Sequence, residues 1–92
     1  MKRRSNFTGI GRMYQGSIFL AEVLYHLKPK QGGADFSDGL KGHILILEGT
    51  RAQTLSAPKT LRLEDGSIIQ ITLEDGDTNV GKYAVHGTGK IQ

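Results

Sequence analysis

The stretch Gly76-Asp77-Thr78-Asn79-Val80-Gly81-Lys82-Tyr83 carries the glycine and lysine spacing of a phosphate-binding loop. That chemistry needs a strand before it, a helix after it, and a Ser or Thr hydroxyl for Mg²⁺ at the last position. Tyr83 occupies that position, and the residues after it read as strand, so a glycine-rich hairpin loop is expected here. Asp75-x-Asp77-x-Asn79 has the oxygen spacing that opens a calcium loop. An EF-hand then requires glycine and a closing bidentate glutamate. Val80 and His86 stand in those places, so no full cage forms, and the cluster is expected to make turns.

His26, His43 and His86 are the candidates for metal binding or acid–base chemistry. None has a partner at ligand spacing in the sequence. With an alternating strand pattern, His26 and His86 lie opposite the apolar positions and are expected in solvent. Gly9-x-Gly11 lacks the third glycine of a dinucleotide fingerprint and any preceding strand. His86-Gly87-Thr88-Gly89-Lys90 could approach a phosphate through backbone amides, but reads first as a fraying end. Ser17 is not in a nucleophile-elbow context. Glu64, Asp65, Glu74 and Asp75 are expected in turns, as solvated carboxylates. The chain has no cysteine, which removes disulfides, thiolate metal sites and a cysteine nucleophile. No catalytic set, cofactor site or metal site is expected.

What remains is electrostatic. Residues 1–60 hold nine Lys and Arg against four Asp and Glu, whereas residues 61–92 hold three against five. Lys2, Arg3, Arg4 and Arg12 form a basic N-terminal group, and Lys28, Lys30 and Lys41 a second one. Phe7, Tyr14 and Tyr25 are aromatic candidates beside them. Such a pattern suits phosphate contacts without sequence readout, or attraction between oppositely charged ends of two copies.

The elements that must position these groups are strands. Ninety-two residues make one domain with a modest core. Thirteen glycines against two prolines say that the chain turns often. Residues 1–12 read as a flexible basic arm and 13–92 as a single β domain. Strands are expected at about 13–20 and 23–29, joined near Ala21-Glu22. Leu20, Val23, Leu24 and Leu27 also fit a helical spacing, so an α+β fold with one helix near 17–28 is the alternative. Residues 30–41 form a glycine-rich loop that Phe36 and Leu40 could tuck down, and a strand follows at 42–49.

Leu-Glu-Asp-Gly occurs at 63–66 and again at 73–76, read as two successive strand-turn units. At the first copy a three-residue loop, Glu64-Asp65-Gly66, pairs Leu63 with Ser67 and Leu61 with Ile69. That register puts Leu61, Leu63, Ile69, Ile71 and Leu73 on one face. A one-residue slip would split them. The last strand, about 80–87, is expected to pair Tyr83 with Ile71 and Val85 with Ile69. Five or six strands in meander order imply a small β-barrel or curved sheet.

No apolar run approaches the roughly 20 residues of a membrane span, and no signal-peptide pattern follows Lys2-Arg3-Arg4. The expectation is a cytoplasmic, non-enzymatic β module acting through binding. Protein interaction or self-association leads. Non-sequence-specific nucleic-acid binding through Lys2, Arg3, Arg4, Arg12, Lys28, Lys30 and Lys41 is the alternative, and an enzyme of unknown class comes third.

Overall fold

The computed structural model describes residues 7–29, 39–50, 53, 55 and 57–87. Six strands make up the fold: β1 (Phe7–Gln15), β2 (Ile18–Pro29), β3 (Leu40–Gly49), β4 (Lys59–Arg62), β5 (Ile68–Asp77) and β6 (Lys82–Gly87). They close into an antiparallel barrel in the order β1-β2-β3-β6-β5-β4. Among the described residues no helix is long and apolar enough to cross a membrane.

Strict alternation builds the interior. Ala21, Val23, Tyr25 and Leu27 of β2 point inward, and so do Ile44 and Ile46 of β3. Leu61, Leu63, Ile69, Ile71 and Leu73 all share the buried face, joined by Tyr83 and Val85 of β6. The helix alternative at 17–28 fails because the inward residues recur every second position, and the β-branched Ile18 and Val23 favour strand.

The hairpin at Leu63–Ser67 has the expected register. Leu61 pairs with Ile69, the Leu63 amide donates to the Ser67 carbonyl at 2.8 Å, and Gly66 takes a positive φ of 91°. That is the left-handed residue a type I turn with a G1 bulge requires.

Four expectations are corrected. Residues 7–12, assigned to the arm, belong to β1. Its glycines are there because neighbours press close: a Cβ on Gly11 would meet the Arg62 carbonyl and the Tyr25 ring. The first hairpin turns at Gly16-Ser17, where Gly16 has φ 62°, and not at Ala21-Glu22. The order is not a simple meander, because β3 pairs with β6 and β4 pairs with β1. Finally, the second Leu-Glu-Asp-Gly lies within β5 and not in a turn. There β5 bulges between Leu73 and Asp75, so Val85 pairs with Leu73 and Tyr83 with Gly76. A side chain at Gly76 would collide with the Tyr83 ring. Val85 shifts by four residues and Tyr83 by five, the odd one being the bulge residue Glu74, so both still face inward.

Two interior tyrosines tie loops to the barrel. The Tyr25 hydroxyl accepts the Glu64 amide at 3.0 Å, and the Tyr83 hydroxyl accepts the Gln53 amide at 2.8 Å. Burial, more than the nearby Glu64 and Asp65 charges, pushes the Tyr25 pKa up. The β1–β4 seam is the short one, paired only at Arg12–Arg62, Met13–Leu61 and Tyr14–Thr60. Just beyond it the Glu64 carboxylate accepts the Ile10 amide at 2.8 Å, in place of a strand carbonyl.

Candidate functional site

Side chains fill the interior, so the charged and exposed groups available for contact lie on the outer wall. Residues directly opposite on neighbouring strands lie side by side there, so the pairing register states which groups meet. Two regions of the wall stand out.

The first is a charged row crossing four strands. Arg62 of β4 pairs with Arg12 of β1, Arg12 with Glu22 of β2, and Glu22 with Glu48 of β3. The row reads plus, plus, minus, minus, and its members are exposed except for the half-buried Glu22. Like charges directly opposite on a sheet destabilise the isolated chain. On the turn side of this row, Tyr14 and Phe19 meet edge to face with ring centroids 5.6 Å apart. Phe19 is 52% exposed, Ile18 66% and Leu47 46%. Leu47 is the extra residue of a bulge, since Glu22 pairs with Glu48 but Val23 pairs with Ile46. Across the row lie Ile10 and Leu24, also exposed. Five of the eight exposed large apolar residues of the described chain therefore border this row. Two open grooves flank Arg12 and Glu22. One, of about 480 Å³, runs to Arg62 and Glu64; the other, of about 390 Å³, runs to Tyr14, Phe19 and Glu48.

The second region is the outer face of β2, β3 and β6. Lys28 pairs with Lys41 and Lys41 with His86; His26 pairs with His43 and His43 with Ala84; Leu24 pairs with Leu45 and Leu45 with Lys82. Three successive rows are thus cationic, imidazole-bearing, and apolar ending in Lys82. The His26 Nδ1 is 3.1 Å from the Thr8 hydroxyl on β1. A groove of about 440 Å³ is lined by Leu24, His26, His43, Ile44, Leu45 and Lys82.

The sequence candidates are distributed accordingly. Lys28 and Lys41 come together on the second region. Arg12 sits in the first, six β2 residues from Lys28 by register, or about 20 Å along the strand. Lys2, Arg3, Arg4 and Lys30 lie outside the described residues. Of the aromatic candidates Tyr25 is in the core and Tyr14 is half-buried, the Phe7 side chain lies outside the described residues, and Phe19 is an exposed ring that was not a candidate. The alternation around Phe19 was readable, but the bulge at Leu20 that turns it outward was not.

His26 is exposed as expected, whereas His86 is half-buried and not free in solvent. Its Nδ1 lies 2.6 Å from a carboxylate oxygen of Glu74, but the ring N–H is not aimed for a hydrogen bond. The contact is an ion pair when the imidazole is protonated. Glu74 reaches His86 because it is the extra residue of the β5 bulge, which the linear reading placed in a turn. Asp77 Oδ1 accepts the Asn79 amide at 3.0 Å, closing the hairpin turn at 77–81. Among the described residues no three His, Asp or Glu side chains group to hold a metal ion.

Lys59 is the titratable group that sequence reading missed. It is 1% exposed, on the inward parity of β4, and its Nζ donates to the Ala57 carbonyl at 3.2 Å. Burial lowers its pKa. The alternation Lys59, Leu61, Leu63 was the available signal. No protein-family model, curated protein or solved structure matches this chain, so its role has to be read from its own surface.

Proposed function

We propose that this chain is a non-enzymatic assembly module that pairs with a second copy through the outer wall of β4, β1, β2 and β3. The observation that carries this reading is the Arg62–Arg12–Glu22–Glu48 row. A two-fold axis between Arg12 and Glu22 sets each positive member against a negative one of the other copy, which is the self-complementarity an isologous interface needs. The like-charge neighbours that cost the lone chain stability become favourable partners across that axis. Ile18, Phe19 and Leu47 supply apolar area beside the row, as exposed apolar residues gathered on one face do at protein interfaces.

Sedimentation velocity of the purified chain over a hundredfold dilution tests the reading. The mass should exceed 10.0 kDa at high concentration and fall on dilution, and Phe19→Asp should hold it at one chain. A single-chain mass at every concentration would refute self-association.

A further inference from the structure

The outer face of β2, β3 and β6 is a different surface, and its chemistry is ordered. Nine positions make three rows of three: Lys28, Lys41 and His86; then His26, His43 and Ala84; then Leu24, Leu45 and Lys82. Three of the nine are lysines and none is acidic. Acids stand at two borders: on β5, where Glu74 contacts His86, Asp75 pairs with Ala84 and Asp77 with Lys82, and beyond Leu24 and Leu45, where Glu22 pairs with Glu48. Lys28 opposite Lys41 is unfavourable in the lone chain, and bound anions would offset that cost. The middle row places two imidazoles side by side, with Ala84 leaving the β6 end low. Beside them the groove floor of Leu24 and Leu45 is apolar. Cations along one edge, flat rings next to them and an apolar floor match a phosphate backbone with its bases turned onto the protein. Imidazole rings are among the platforms on which unpaired bases stack.

We propose that this face binds single-stranded nucleic acid, with Lys28, Lys41 and His86 on phosphates and His26, His43, Leu24 and Leu45 under the bases. The site does not depend on the basic N-terminal residues, and it adjoins the charged row of the assembly face at Leu24.

Fluorescence anisotropy of a labelled oligothymidylate, at 50 and 200 mM salt, tests the assignment on the full chain. Lys28→Gln with Lys41→Gln should weaken binding at least tenfold at 50 mM salt. Neutralising two contacts should also flatten the salt slope by about 1.4, at about 0.7 per phosphate for single strands. The triple substitution His26→Gln, His43→Gln and His86→Gln should also weaken binding, because it removes two stacking rings and one phosphate contact. Inorganic polyphosphate of equal charge should bind more weakly, having no bases to stack. Circular dichroism confirms that each variant is folded. Phe19→Asp should leave binding intact, so loss of self-association and loss of this site read out separately. No binding at 50 mM salt, binding indifferent to the lysine pair, or equal affinity for polyphosphate would each overturn the proposal.

Discussion

Gly11→Ala should open the barrel at its shortest seam. A Cβ at this position would press on the Arg62 carbonyl, a backbone atom that cannot swing aside, and on the Tyr25 ring at 3.1 Å. β4 would have to retreat from β1. Three residue pairs close that seam, and each backbone hydrogen bond is worth about 1 kcal/mol net. Losing two or three of them costs about 2–3 kcal/mol, a large share of the ~5–15 kcal/mol available to a small domain.

The control is Gly66→Ala. Gly66 has φ 91° and open space around its missing side chain, so only the backbone penalty of about 1–2 kcal/mol applies. Urea denaturation followed by circular dichroism gives both costs. Amide exchange then locates the damage, and Arg12–Tyr14 should exchange faster in Gly11→Ala but not in Gly66→Ala. Because Arg62 and Arg12 lie across this seam, Gly11→Ala should also weaken self-association. A Gly11→Ala protein within about 0.5 kcal/mol of the parent, with unchanged exchange at 12–14, would refute the reasoning, since ordinary surface substitutions fall in that range.

Two further outcomes follow from titratable groups. Burial lowers the Lys59 pKa from its ordinary 10.5, so above the folded value the unfolded chain binds more protons and stability rises with pH. Lys59→Met should flatten that rise between pH 7 and 10, measured by urea midpoints; a variant with the parent's pH slope would refute the assignment. Readings stop at pH 10 because Tyr25, with its pKa raised above the ordinary 10.0, contributes the opposite trend beyond it. At the acid end, the Ser67 amide donates to Asp65 Oδ1 at 2.8 Å and holds the Asp65 pKa below its ordinary 3.8. The stability from that carboxylate is present above 3.8 and is lost as pH falls through the folded value. Asp65→Asn should remove that part of the acid dependence, and an unchanged acid limb would show that the turn carboxylate contributes nothing.

The parts of the fold legible in the sequence are those where neighbouring signals agree. Leu61, Leu63, Ile69 and Ile71 share a face in one register only, and Gly66 falls where that register needs a left-handed residue. Elsewhere the deciding contacts are distant in sequence. Gly9 and Gly11 read as coil, yet they are strand residues made small by Tyr25, Glu64 and Arg62. The β5–β6 register depends on a bulge at Glu74 and on room for the Tyr83 ring over Gly76, and neither leaves a local pattern. The surfaces follow the same rule. Lys28 and Lys41 could be named from charge alone, but that they oppose one another, with the two histidines beside them, is a property of the β2–β3 pairing. The Arg62–Arg12–Glu22–Glu48 row draws on four strands, and its division into a positive and a negative half exists only across them.

Mixing two charge variants tests the assembly reading most directly. Glu22→Arg with Glu48→Arg makes the row wholly positive, and Arg12→Glu with Arg62→Glu makes it wholly negative. Each alone should sediment as a single chain, because like rows repel across the two-fold axis. An equimolar mixture should sediment as a heterodimer, and 0.5 M salt should weaken it. Two variants that each self-associate like the parent, or that stay single chains when mixed, would contradict the account.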